Sequence, residues 1–181
     1  MSNSNKSRRQ FLKNVSLASL GIGLSPVVSS AKKTEADACE KTTLDYYGEG
    51  PFYTENPPVI NGAKLAGETE SGTKIRITGR VQNLDCSEFI PETIIDVWHA
   101  DNDGKYDNEG YHLRGKTKTN AQGFFIFETI KPGKYLNGSK YRPSHIHFKI
   151  TPPGHSTLTT QLYFAGDTSI AEDAAASISS G

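Results

Sequence analysis

The chain has 181 residues, with 20 Lys or Arg and 20 Asp or Glu, so its formal net charge is zero. That balance argues against a nucleic-acid-binding protein, which usually carries a basic face. Apolar residues make up 35% of the chain, with 8 Phe, 8 Tyr and 1 Trp. This composition excludes a disordered chain and a transmembrane bundle, and the length favours a single domain.

Residues 1–31 have the pattern of an export signal. Basic residues come first, a mild apolar run follows at residues 15–28, and the small residues Ser-Ser-Ala close the segment. The basic part contains Arg8-Arg9 and resembles the twin-arginine signal of bacteria. We therefore expect a periplasmic or secreted protein that does not span the membrane once the signal is removed.

Two cysteines follow the export signal, Cys39 and Cys86. An even number of cysteines in an exported protein favours a disulfide over two free thiols. The expected bridge would tie a linker or N-terminal arm, residues 32–44, to the folded domain.

Residues 45–170 are predicted to form an all-β fold. Short apolar or alternating segments are separated by turns rich in Gly, Pro, Asn and Asp, and no long helical pattern interrupts them. This spacing favours a β-sandwich of mixed or antiparallel strands with few short helices, followed by a tail at residues 171–181. The predicted strands are residues 74–81, 93–98, 124–127, 145–150 and 158–164.

Chemically active side chains are concentrated in the second half of the chain. His145 and His147 lie two residues apart in a predicted strand, so both imidazoles project from one face while Ile146 and Phe148 point to the core. Such a pair suits Zn, Cu, Fe or Ni. The pattern is equally compatible with two surface histidines.

Two tyrosines each follow a glycine turn. Tyr106 comes two residues after Gly104, and Tyr135 comes two residues after Gly133. A phenol at such a position can be directed inward from the rim of a sheet, although a lone tyrosine after a turn usually serves packing.

Seven segments in this order resemble the intradiol ring-cleavage dioxygenases, and together they cover roughly residues 48–167. The resemblance implies a β-sandwich enzyme that opens a catechol-type aromatic diol with O2 to a cis,cis-muconate-type product. The segments are Glu-Gly-Pro-Phe-Tyr (49–53), Trp-His-Ala-Asp (98–101), Gly-Lys-Tyr (104–106), Leu-Arg-Gly (113–115), Pro-Gly-Lys-Tyr (132–135), Arg-Pro-Ser-His-Ile-His-Phe (142–148) and Thr-Gln-Leu-Tyr-Phe (160–164).

The resemblance also implies a site. Tyr135 would act as a general base toward the diol, Arg142 would stabilise negative charge on the ring, Gln161 would stand beside the pocket, and Tyr53 would line its mouth. A non-haem Fe(III) would be held by four ligands, which are Tyr106, Tyr135, His145 and His147.

Two other functions are compatible with the same residues. A secreted β-sandwich could be a binding module without catalysis, and His145 with His147 could hold Zn or Cu instead of iron. The identity of the diol and the oligomeric state are left open by the sequence.

Overall fold

The computed structural model describes residues 48–176 of the chain. The predicted export signal and the whole of the predicted arm therefore lie outside the described residues. The regular structure of residues 48–176 consists of two short 3-10 helices, Asn61–Ala63 and Thr168–Glu172, and of strands. The strands are β1 (Lys74–Arg80), β2 (Ile94–Trp98), β3 (Arg114–Lys118), β4 (Phe124–Ile130), β5 (Tyr135–Asn137), β6 (Lys140–Arg142), β7 (His145–Thr151) and β8 (Leu158–Tyr163).

The strands form three antiparallel groups. The largest is a four-stranded sheet in the order β3-β2-β7-β8, the second is the β1-β4 pair, and the third is the β5-β6 hairpin. The helices that lie wholly within the described range are the two 3-10 segments. The predicted all-β class is confirmed.

The hydrophobic core lies between the four-stranded sheet and the β1-β4 pair. Alternate residues of each strand face inward, because successive side chains of a strand point to opposite faces. The rings of Phe127 and Phe148 are 6.1 Å apart, and Ile146 is fully buried. The inward orientation predicted for Ile146 and Phe148 is confirmed, and it leaves the opposite face of β7 for the histidines.

Cys86 is disulfide-bonded. Cys39, the only other cysteine of the sequence, lies outside the described residues. The predicted role of the bridge in tying down the arm therefore stays a prediction. Among residues 48–176, the helices are too short and too polar to cross a bilayer.

Candidate metal centre

His145 and His147 stand at the start of β7 on the face of the sheet that points away from the core. Both side chains are buried, with 2% and 3% exposed. Their Nε2 atoms are 3.1 Å apart. Nδ1 of His145 lies 2.6 Å from the Pro143 carbonyl oxygen. Because a carbonyl can only accept, Nδ1 carries the proton and Nε2 of His145 presents its lone pair to the site.

Burial keeps both imidazoles neutral. It lowers the pKa of His145 from 6.5 to about 4, with the positive charge of Arg142 acting in the same direction. The pKa of His147 is lowered well below its ordinary value, again chiefly by burial. Neutral imidazole is the form that binds a metal, so the pair is in the required state at neutral pH.

Two glycine turns bring the tyrosines together. The backbone N–H groups of Gly104 and Gly133 both donate to the Asp101 carbonyl, at 3.1 and 2.8 Å. A Cβ atom on Gly104 would collide with the Lys134 carbonyl oxygen. The turns thus pack backbone against backbone, which only glycine permits, and each carries a tyrosine two residues further along the chain.

The phenols meet the imidazoles at this point. The hydroxyl of Tyr106 lies 3.3 Å from Nε2 of His145. The rings of Tyr106 and Tyr135 meet edge to face with centroids 5.6 Å apart, and the Tyr135 ring lies 5.8 Å from that of His145. The structure therefore brings together all four side chains that were predicted as ligands.

Phe52 covers Tyr106 from the chain segment before the first strand. Their rings stack almost parallel with centroids 4.2 Å apart. Burial raises the pKa of Tyr106, with the neighbouring Tyr135 adding to the effect. A phenol in this environment ionises only if a cation takes up its negative charge.

The donor set fits a metal ion. Neighbouring nitrogens about 3 Å apart match adjacent ligands on one ion with bonds of about 2 Å. Among the described residues, Nδ1 of His147 is buried without a hydrogen-bond partner. Within residues 48–176, no three His, Cys, Asp or Glu side chains converge in this way. The oxygen donors that lie beside the two imidazoles are the hydroxyls of Tyr106 and Tyr135.

Arg142 lies beside Tyr135 at the base of the β5-β6 hairpin. Its Nε donates to Asp173 Oδ2 at 2.8 Å, and its Nη2 donates to Gln161 Oε1 at 3.0 Å. Its Nη1 reaches the Tyr135 hydroxyl at 3.4 Å. Burial opposes the charged guanidinium, but the ion pair with Asp173 outweighs it, so the pKa of Arg142 is raised and the side chain stays cationic.

Gln161 joins the same network. Its Oε1 also accepts from the Tyr163 hydroxyl at 2.6 Å, and the Tyr163 ring lies 5.8 Å from that of His145. All predicted site residues except Tyr53 therefore lie around one point.

Tyr53 is placed behind the histidines. Its ring lies 4.8 Å from Trp98, whose indole stacks on the imidazole of His147 at 4.7 Å. Its hydroxyl donates to Asp96 at 3.0 Å, and the Lys149 ammonium lies over its ring. Tyr53 thus contacts the site through Trp98 and not directly.

Three contributors to the site were not predicted as site residues. Asp173 lies in the segment that the sequence predicted to be a tail, where the Glu172-Asp173 pair among alanines gave no signal. Phe52 and Tyr163 lie inside recognised segments, but aromatic residues in strands and turns usually serve packing. Only the spatial arrangement distinguishes them.

Comparison with known proteins identifies a family and several relatives for this chain. The family model described as Dioxygenase matches residues 48–181. Chlorocatechol 1,2-dioxygenase of Cupriavidus pinatubonensis is 34% identical over 146 residues, which cover 69% of this chain and 56% of the relative. Hydroxyquinol 1,2-dioxygenase of Nocardioides simplex is 30% identical over 183 residues, covering 90% of this chain and 59% of the relative. The chain thus spans little more than half the length of these two relatives.

A solved structure shows the same architecture. The dioxygenase domain of a dioxygenase–carbohydrate-binding fusion protein from Streptomyces sp. SirexAA-E is 33% identical, with a TM-score of 0.66. The match covers 75% of this chain and 82% of that domain. On the extent of the family match and the shared fold, the chain belongs to the intradiol ring-cleavage dioxygenase family.

Proposed function

We propose that this protein is a non-haem Fe(III) dioxygenase that opens catechol-type aromatic diols with O2. One observation carries the proposal. Two neutral imidazoles with Nε2 atoms 3.1 Å apart and two half-buried phenols converge on one point of the sheet. Ferric iron is a hard acid that favours anionic oxygen, and phenolate ligation of ferric iron is known in proteins. Two phenolates with two imidazoles therefore suit iron better than zinc or copper.

The bound iron would withdraw electrons from a chelated diol and so prepare the aromatic ring for reaction with O2. The chain supplies the proton chemistry and the electrostatics. Tyr135, bound to the iron as a phenolate, would accept a proton from an incoming diol. The fixed cation of Arg142 lies next to that phenol and would stabilise negative charge on the ring, with Asp173 and Gln161 holding its orientation.

The substrate class follows from the relatives, which are named for chlorocatechol, catechol and hydroxyquinol. We propose that this protein also takes a 1,2-dihydroxybenzene, plain or substituted, together with O2. Both oxygen atoms would enter a muconate-type product.

The decisive experiment is to purify the full chain, supply iron and record its visible spectrum. Tyrosinate bound to Fe(III) gives a charge-transfer band, so we expect a coloured protein with one iron per chain. Oxygen uptake would then be measured with catechol, chlorocatechol, hydroxyquinol and protocatechuate. A colourless protein that holds zinc or copper on His145 and His147 would contradict the proposal. A coloured protein that consumes no oxygen with any diol would instead support a binding module.

We also propose that the protein acts outside the cytoplasm, delivered by the twin-arginine route. The support is the Arg8-Arg9 pair followed by the apolar run and small residues. Replacing Arg8 and Arg9 by Lys is expected to retain the protein in the cytoplasm, whereas Lys13→Arg is the matched control and should be exported. Export of the double variant at the normal rate would overturn this assignment.

A further inference from the structure

Arg114, the first residue of β3, is buried beside the candidate metal centre. Only 3% of it is exposed. Its Nη1 donates to the Phe52 carbonyl and its Nη2 donates to the Asp107 carbonyl. These two carbonyls belong to different segments. The first carries the ring that stacks on Tyr106, and the second directly follows Tyr106. One guanidinium thus ties the covering segment to the segment that presents the phenol.

Burial lowers the pKa of Arg114, and the carboxylates of Asp107 and Asp96 act in the opposite direction without pairing with it directly. Within residues 48–176, no Asp or Glu lies within ion-pair distance of it, in contrast to Arg142 with Asp173. Its Nε is buried without a hydrogen-bond partner in the part of the chain that the structure describes. A buried charge normally requires a counter-ion, because removing it from water is costly. The direct contacts of Arg114 among the described residues are two carbonyl dipoles and the face of one aromatic ring, while the carboxylates of Asp107 and Asp96 lie further away.

That ring belongs to Tyr106. The guanidinium carbon of Arg114 lies 5.9 Å from the centroid of the Tyr106 ring, within cation–π range. The Tyr106 ring also stacks on the ring of Phe52, with the centroids 4.2 Å apart. The ionisable groups whose charges act on Arg114 are Asp107, Tyr106 and Asp96. Of these, Tyr106 is the one that the proposed function makes an anionic ligand.

We propose that Arg114 is a positioning residue for Tyr106. Its fork fixes the Phe52–Tyr106 stack by bridging the two carbonyls, and its positive charge, which forms no direct ion pair among the described residues, would stabilise the Tyr106 phenolate once iron is bound. The second part rests on the proposed function, whereas the first concerns the protein chain alone. Lysine could supply the charge but not the planar fork that bridges two carbonyls.

The bridge that Arg114 makes between the Phe52 and Asp107 carbonyls, called the clamp below, is tested on metal-free full-length protein by amide hydrogen exchange. We expect Arg114→Met and Arg114→Lys to speed exchange about ten- to hundredfold at residues 48–56 and 106–112, with β1 and β4 unchanged. This is the effect of losing a charge-assisted hydrogen bond. Arg76→Met, which removes an exposed arginine paired with Glu128, is the control and should leave both segments unchanged. Unchanged exchange at both segments in Arg114→Met would overturn the clamp.

The charge is tested on the iron-supplied variants by spectrum and by iron affinity. Arg114→Met is expected to move the charge-transfer band to lower energy, since a phenolate without a nearby cation gives up an electron more easily, and to weaken iron binding about tenfold. Arg114→Lys should keep the charge-transfer band near its wild-type position, although its amide hydrogens at residues 48–56 and 106–112 should still exchange fast. A band and an affinity unchanged in Arg114→Met would overturn this part. Wild-type protein that binds no iron would defeat the proposed function, while the exchange data would still decide the clamp.

Discussion

Arg142 lies beside the candidate metal centre, but it differs from the four proposed ligands because its side chain is itself a cation and cannot bind a metal ion. Arg142→Leu should therefore keep iron and colour but lower the turnover number about 10²–10³-fold, because the arginine would stabilise charge that develops only during the reaction. Iron per chain, visible absorbance and oxygen uptake are measured on the same preparation.

The matched control for this change is Lys140→Leu. Lys140 lies on the same hairpin strand, is exposed, and contacts only Glu172 at 3.8 Å among the ion pairs of the described residues. It should retain full turnover. Normal turnover in Arg142→Leu would show that the arginine serves only its ion pair with Asp173.

Asp96 provides a residue-scale test of stability against pH. Burial raises the pKa of this carboxyl from 3.8 to about 6, although the Tyr53 hydroxyl and Lys149 act in the opposite direction. Between these two values the folded protein holds a proton that the unfolded chain has lost. The contribution of Asp96 to the free energy of unfolding therefore falls as pH rises through this window.

Asp96→Asn removes this penalty and can still accept the hydrogen bond from Tyr53. The melting temperature of the variant minus that of the wild type should increase as the pH is raised from 4 to 7. The upper limit lies about one pH unit above the folded-state pKa of Asp96. Glu92→Gln, which removes an exposed carboxylate paired with Lys118, is the control and should show no comparable trend. A difference that stays constant with pH would contradict the raised pKa.

At the scale of elements, the paired glycine turns decide where the tyrosines stand. Gly104 has φ +80° and faces the Lys134 carbonyl, so Gly104→Ala combines backbone strain with a backbone collision. We expect a loss of more than about 2 kcal/mol in the free energy of unfolding and weaker iron binding. Denaturant unfolding and iron titration measure the two effects.

Gly138→Ala is the control that distinguishes backbone strain from the collision of an added Cβ atom. Gly138 lies at the tip of the β5-β6 hairpin with φ +65°, and an added Cβ would meet nothing within 4 Å. This control should lose only about 1–2 kcal/mol, the cost of a left-handed conformation, and should bind iron normally. Equal losses in the two variants would mean that the turns do not depend on close packing.

The strands fall into two groups, those that the sequence pattern predicts and those that it does not. Those with apolar alternation or β-branched runs were predicted close to their observed bounds, and β4 extends three residues further than expected, to Ile130. β3, with the sequence Arg-Gly-Lys-Thr-Lys, was not predicted. Its polar side chains give no period, and it is a strand because it pairs with β2 at the edge of the sheet. The short β5 and β6 also depend on their mutual pairing.

At the scale of the whole molecule, the sandwich supports the site by assigning one face of β7 to the core and the other to the ligands. If iron binds only the folded form, it must stabilise the protein. At free iron a hundredfold above its dissociation constant, the gain is about 2.7 kcal/mol. Melting temperature with iron, and after removal of iron by a chelator, should differ accordingly.

His147→Ala should abolish this iron-dependent stabilisation, because it removes a first bond to the metal. His155→Ala is a suitable control, as His155 is an exposed residue of the turn between β7 and β8. An iron-dependent shift of the same size in His147→Ala would exclude this imidazole as a ligand.

The sequence alone determined the all-β class, most strands of the large sheet, and the two histidines on one face of β7. These follow from local rules, since the period of two in a strand dictates which side chains share a face. The resemblance to the intradiol enzymes supplied the four proposed ligands together with Arg142 and Gln161. Tertiary structure decided the rest. The packing of two turns that are distant in sequence, the ion pair of Arg142 with Asp173 and the bridge from Arg114 to the carbonyls of separate segments are contacts between residues far apart in the chain. No local period encodes such contacts, because they exist only once the sheets have packed.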